Sequence, residues 1–213
     1  MATRPAWTIY RGHVIRSEFD FEWNGGFAVS QKQKNIAALH NAIMKKRGEN
    51  ALEISTKSLD EMGRSLSAFN LRLDGVLLEC VFQSSKVFEK GGPYRDLLDV
   101  SPKEAKRDER LKTSGKLTAF EYGSQRWDLE PKTAFYDYIY VKSALSTFTV
   151  GQLRETLDQN VWFTDIEFNP NKSINSQARS VALLKALITL GEPFDLDDHD
   201  SWIAFHKKTV GTE

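Results

Sequence analysis

The chain has 213 residues, a 40% hydrophobic and 27% charged composition, and 29 basic against 29 acidic side chains. Those values suit one folded domain and exclude a disordered chain. The cancelled charge also excludes the broad basic field that drives sequence-independent nucleic-acid binding, so any DNA contact is local.

A single cysteine forms no internal disulfide and fits a reducing, cytoplasmic compartment. No apolar run approaches the roughly 20 residues of a membrane span, and Met1 to Arg16 lacks the apolar core of a signal peptide, so no membrane partner is expected.

In chain order, Trp7-Thr8-Ile9-Tyr10, Val14-Ile15 and Phe19 to Trp23 read as short strands broken at Gly12 and closed by Asn24-Gly25-Gly26. Ser30 is then expected to cap a helix, with Gln33 reciprocating and Ile36, Leu39, Ile43 and Met44 as its apolar stripe. Lys45-Lys46-Arg47 suits the negative end of that helix, and Gly48 stops it. Leu52-Glu53-Ile54 reads as a brief strand followed by the donor-rich Ser55-Thr56-Lys57-Ser58.

Phe69, Leu71 and Leu73 alternate before Asp74-Gly75, and Val76 and Leu78 alternate after it, which predicts a two-residue hairpin. A helix is expected to follow, broken at Lys90-Gly91-Gly92-Pro93, and then two more over residues 94–98 and 101–111. The last of these is charged nearly all round and reads as a solvated face. Residues 117–129 look irregular or extended. Pro131 is expected to open a helix through Leu145, followed by a short helix over 149–157, a strand over 161–166 and an apolar helix over 176–190 ended by Gly191.

Familiar signatures are missing: there is no Gly-rich phosphate loop, no two-His metal motif and no Gly-x-Ser-x-Gly elbow. His13, His40, His199 and His206 show no ligand spacing, so neither a metal nor another cofactor is implied. His40 reads as a packed histidine and Cys80 as a small buried hydrophobe.

The notable feature is Glu79-x-x-x-Gln83-x-x-Lys86, which helical spacing places on one polar stripe between Leu78 and Val87-Phe88. Spacing alone fits a solvated helix face and a functional site equally well. Ser67-Ala68-Phe69-Asn70, at the start of the hairpin, is small enough to admit a ligand to the backbone and also ordinary as a strand start. Trp127 and Asp165 are single residues that base rates assign to structure. Asp165, with Glu167 and Asn169, follows a strand end, where ligand contacts are common.

The order Ser67-x-Phe69, Glu79-x-x-x-Gln83-x-x-Lys86, Trp127 and a late Asp followed by Asn175 resembles the NADAR family. Leu52 to Ser58, Leu66 to Leu71 and Ile174-Asn175-Ser176-Gln177-Ala178 are most similar to its branch paired with DarT-type DNA ADP-ribosyltransferase toxins. The likeness covers about residues 50 to 190, with 1–50 as an N-terminal strand and helix extension of one domain over 1–213. It departs from the commoner family form at Leu78-Glu79-Cys80, where Glu-His is usual, and lacks the Trp-Gly pair after the late Asp.

The resemblance implies a mainly α, α+β fold: a compact helical domain with short strands and one β-hairpin. It implies an N-glycoside hydrolase that removes ADP-ribose from the amino group of guanine in DNA, with ADP-ribose as product and an ADP-ribosyltransferase toxin as genetic partner. Glu79 is then the main catalytic carboxylate with Lys86 beside it, either as a clamp or as a Schiff-base nucleophile. Ser55, Thr56, Lys57 and Ser67 would meet the diphosphate, and Phe69 or Trp127 would stack on a base. Ala68, Asn70, Gln83 and Asp165 complete the expected binding set. Two other readings stay open, an N-glycosidase for a riboflavin-pathway-like metabolite and a non-catalytic module that binds ADP-ribose or the toxin.

Overall fold

A computed structural model describes residues 1–191 and 194–211. The first two strands, β1 (Ala2–Tyr10) and β2 (His13–Phe21), are each nine residues long and pair in register from Ala2↔Phe21 to Tyr10↔His13 around the Arg11-Gly12 turn. They are longer than the broken short strands expected. Helix α1 (Val29–Arg47) follows and ends at Gly48 in the left-handed region, as the cations and the glycine predict. Its start differs from the expected Ser30/Gln33 box: the N-cap is Ala28, with no side-chain cap bond. Ile36, Leu39 and Ile43 are buried, whereas Met44 is exposed.

β3 (Ala51–Glu53) runs parallel to β9 (Trp162–Thr164), which also pairs with β1, so one mixed sheet has the order β2-β1-β9-β3. The N-terminal segment thus shares a sheet with strands about 40 and 150 residues further along the chain. Phe19, Phe21, Ile36, Leu39 and Ile43 bury one side against Trp162 and Ile166.

Helix α2 (Glu61–Ser65), capped by Asp60, packs directly on β3. A Cβ at Gly63 would sit 2.3 Å from the Glu53 carbonyl oxygen, so this glycine serves strand–helix contact and not the approach of a ligand. Residues 67–70 form a turn where a strand was expected; the hairpin is reduced to β4 (Arg72–Leu73) and β5 (Val76–Leu77) around Asp74-Gly75.

Helix α3 (Leu78–Ser84) is buried on every side and stops well before the expected break at Lys90. The cause is local. The hydroxyls of Ser84 and Ser85 donate to the Val81 carbonyl at 3.0 and 2.8 Å, competing with the helical ladder, while Glu121 N–H takes the Ser85 carbonyl at 2.7 Å. The chain leaves as β6 (Lys86–Phe88), which pairs with β7 (Leu117–Tyr122), itself paired with β8 (Gln125–Trp127). Between these strands lie a 3₁₀ turn (Arg95–Leu98), α4 (Pro102–Arg107) and α5 (Arg110–Thr113). A capping box of Ser101 and Glu104 starts α4, a signal present in the sequence.

The central helix α6 (Ala134–Thr147) begins three residues after Pro131, because Thr133 holds a left-handed conformation ahead of it. Its first eight residues are all buried. Helices α7 (Val150–Leu157), α8 (Gln177–Thr189) and α9 (His199–Val210) close the core around it. At 44% helix and 20% strand the fold is α+β. The strand component is small, as expected, and the Asp74-Gly75 hairpin is joined by two more, β1–β2 and β7–β8, so the described residues form three small sheets.

Asp137 on α6 is fully buried. It accepts bonds from Arg179 Nη2 at 3.1 Å, Ser180 Oγ at 2.6 Å and His206 Nε2 at 3.0 Å, so α8 and α9 are tied to the central helix. Burial pushes this carboxyl up, but the Arg179 charge and the bonds from His206 and Ser180 outweigh it and hold it down at about 2. Asp137→Ala leaves Arg179 buried without its partner and is expected to cost about 3–5 kcal/mol in urea unfolding. Because the folded carboxyl lies below its unfolded value, its contribution is complete above about pH 4 and drains away as the pH falls toward 2. The difference between wild type and variant in the acid titration of stability, shrinking as the pH falls from about 4 toward 2, checks this.

Candidate functional site

The short α3 and its abrupt exit place the Glu79, Gln83 and Lys86 side chains in one line although they belong to two elements. Lys86 Nζ donates to Gln83 Oε1 at 2.7 Å, and Gln83 Nε2 donates to Glu79 Oε1 at 2.9 Å. The line faces a cleft of about 860 Å³. Phe82 and Phe120, stacked at 5.5 Å, give the cleft an apolar wall, and Lys86 Nζ lies 4.8 Å from the Phe82 ring centre. Burial lowers the Lys86 ammonium to about 8, against the opposing pull of Glu79 and with help from Lys106.

Lys106 is the clearest residue that sequence reasoning missed. It stands on the charged α4, there taken for a solvated face, yet its Nζ reaches 3.8 Å from Glu79 Oε1 and 5.7 Å from the Phe69 ring centre. The signal available was the Ser101–Glu104 capping box, which fixes the helix phase, with Ala105 the residue buried on it.

The opposite wall is the segment from Asp165 to Asn175, between β9 and α8. Lys32 of α1 pairs with Glu167 at 3.1 Å, and Arg179 Nη1 donates to the Ile174 carbonyl at 3.1 Å, so both ends are held. Asp165 lines the cleft but is itself buried, and it accepts the Glu167 amide at 3.1 Å. Burial and the neighbouring Glu53 carboxylate push its carboxyl well above the ordinary range. Tyr136 is raised as well, chiefly by burial.

Of the expected site residues, Glu79, Gln83, Lys86, Ala68, Phe69 and Asp165 meet at this cleft. Ser67 lies just behind it: its hydroxyl and the Ala68 amide donate to Gln177 Oε1 at 3.3 and 2.8 Å. Five others are elsewhere. Ser55, Thr56 and Lys57 form a local turn in which Lys57 Nζ donates to Thr56 Oγ1 at 2.9 Å, and Asn70 donates to the Arg64 carbonyl at 2.8 Å. Trp127 is only 2% exposed, with its ring 4.5 Å from both Tyr138 and His199; core packing occupies the faces that base stacking would need.

A family model for the DarT1-associated NADAR antitoxins matches residues 2–212. The chain belongs to that family. The match takes in the N-terminal hairpin and α1, beyond the stretch that carries the sequence resemblance. A comparison with curated proteins gave no match.

The line from Glu79 to Lys86 makes a signed prediction. Because the Glu79 charge supports the ammonium, Glu79→Gln is expected to move the Lys86 titration further below 8, read by NMR of the lysine side chain.

Proposed function

We propose that this NADAR protein is an N-glycoside hydrolase that removes ADP-ribose from guanine in DNA, as antitoxin to a DNA ADP-ribosyltransferase toxin of the DarT1 kind. The observation that carries the reading is the hydrogen-bonded line of a carboxylate, an amide and a depressed-pKa amine along a cleft wide enough for a nucleotide-sized ligand. Family membership supports it. Cleavage of the bond needs charge at the anomeric carbon, a proton for the leaving nitrogen and an oriented water. Glu79 is suited to orient that water and to stabilise positive charge at carbon.

With a pKa of about 8, roughly one Lys86 in ten is neutral at pH 7. That fraction can add to the anomeric carbon of the ring-opened sugar, where the guanine nitrogen is held as an imine. The C–N bond to guanine then breaks with a proton passing to the leaving amine, and water hydrolyses the Lys86 imine to free ADP-ribose and the amine. Lys106 and Lys172 bring positive charge to the same cleft for a diphosphate, and Phe69, 43% exposed at its edge, offers a face to a base. Basic charge gathered in this way permits local DNA contact on a chain whose net charge is zero.

Incubated with a guanine-ADP-ribosylated oligonucleotide, the protein is expected to release ADP-ribose and restore the unmodified mass. Glu79→Ala is expected to lose about 100-fold or more in rate while remaining folded. Turnover confined to small metabolites overturns the DNA reading, and toxin neutralisation undiminished in Glu79→Ala overturns the enzymatic one. Borohydride added during turnover is expected to leave a stable mass adduct on Lys86; turnover without trapping restricts Lys86 to an ionic clamp.

A further inference from the structure

Behind Asp165 lies a second buried carboxylate that does not line the cleft. Glu53, 1% exposed at the end of β3, accepts two hydrogen bonds from residues on either side of Asp165: Thr164 Oγ1 at 2.6 Å and the Ile166 amide at 2.8 Å. The Thr164 hydroxyl has one proton and spends it on Glu53, so it accepts from His40 Nε2, 2.9 Å away. Burial holds His40 down at about 4, which keeps the imidazole neutral at physiological pH and able to supply that N–H. Three elements, α1, β3 and β9, thus converge on the short span that presents Asp165.

We propose that Glu53 is a positioning residue: by gripping Thr164 and Ile166 it fixes Asp165 at the cleft wall as the proton donor to the leaving nitrogen. The assignment rests on the N-glycoside reading given above. In this step the carbon–nitrogen bond breaks with its electron pair on nitrogen, and the Asp165 proton passes to that nitrogen. Water then supplies the hydroxyl that ends on carbon, and its remaining proton returns to Asp165. No further reactant is needed.

The division of labour between the two acids follows from their partners. Burial pushes both carboxyls up, but Glu53 is relieved by three donors, Thr164, the Ile166 amide and Ser55, against two for Asp165, the Glu167 amide and the Gln177 side chain, so of the two Asp165 is the one that keeps its proton. The groups facing Asp165 are Glu53 from β3, Glu167 from its own segment, Tyr136 and Tyr140 from α6, and the Gln177 side chain from α8. Glu167 is partly offset by Lys32. Asp137 and Arg179, also near Tyr136, are engaged with each other. Glu53 is the strongest of the like charges acting on Asp165.

The test follows the Asp165 carboxyl by carbon-13 NMR as a function of pH, alongside the pH profile of kcat/KM on the ADP-ribosylated oligonucleotide. In the wild type, Asp165 is expected to titrate above the ordinary carboxylate range, and the alkaline limb of the profile is expected to fall at the same pH. Glu53→Gln keeps the shape and a set of donors and acceptors, and removes the charge. It is expected to lower both midpoints together by about one pH unit.

An Asp165 that titrates in the ordinary range in the wild type overturns the proposal whether or not the variant folds. So does a folded Glu53→Gln with both midpoints unmoved, as a purely structural residue would give, and so does a limb that fails to follow the carboxyl. If the wild type cleaves no N-glycoside, the functional reading fails and the donor role falls with it. The variant's shift in the Asp165 midpoint then still decides, without substrate, whether Glu53 controls this carboxyl.

Discussion

The ion pair between Asp137 and Arg179, buried at the junction of α6, α8 and α9, is the constraint on which the cleft depends. A carboxylate so deep is tolerated only because a guanidinium, a hydroxyl and an imidazole all point at it. The same guanidinium also donates to the Ile174 carbonyl, at the end of the segment that forms one cleft wall. The start of α8 is therefore held where Gln177 can receive Ser67 and Ala68, and through these contacts the two walls share one anchor.

Within that frame, low polarity acts on opposite charges in opposite directions. Burial lowers the Lys86 ammonium and raises the Asp165 carboxyl, so the cleft brings an amine that sheds its proton readily and an acid that keeps its own into one chamber. Neither shift comes from an isolated group. Lys86 is tethered through Gln83 to Glu79, and Asp165 is backed by Glu53. The apolar pair Phe82 and Phe120 matters chemically for this reason: it covers the Lys86 amine and keeps from it the water that would return it to its ordinary value.

Local signals were legible where the physics is local. Asp74-Gly75 turned a hairpin, Gly48 stopped a helix, and the Glu79, Gln83 and Lys86 spacing marked residues that do meet. The reason for their meeting was only half legible. Helical periodicity placed Lys86 on α3, but Ser84 and Ser85 turn their hydroxyls onto Val81 and β7 captures the next carbonyl, so Lys86 returns to Gln83 from a strand. Ser30 illustrates the opposite case, a good capping pattern left unused because the helix begins two residues earlier than that cap would start it, at Val29 with Ala28 as N-cap.

Composition and periodicity by themselves determined the broad class of the chain, its main helices and a polar cluster between apolar flanks. These follow from nearest-neighbour chemistry, which a linear pattern records. Tertiary structure decided what shares the cleft. Lys106 comes from a helix charged nearly all round, Asp165 arrives about 80 residues after Lys86, and Trp127, plausible as a stacking platform, is enclosed by Tyr138 and His199. Burial and long-range pairing made those choices, since exposure and electrostatic environment belong to the assembled protein and are written in no single segment.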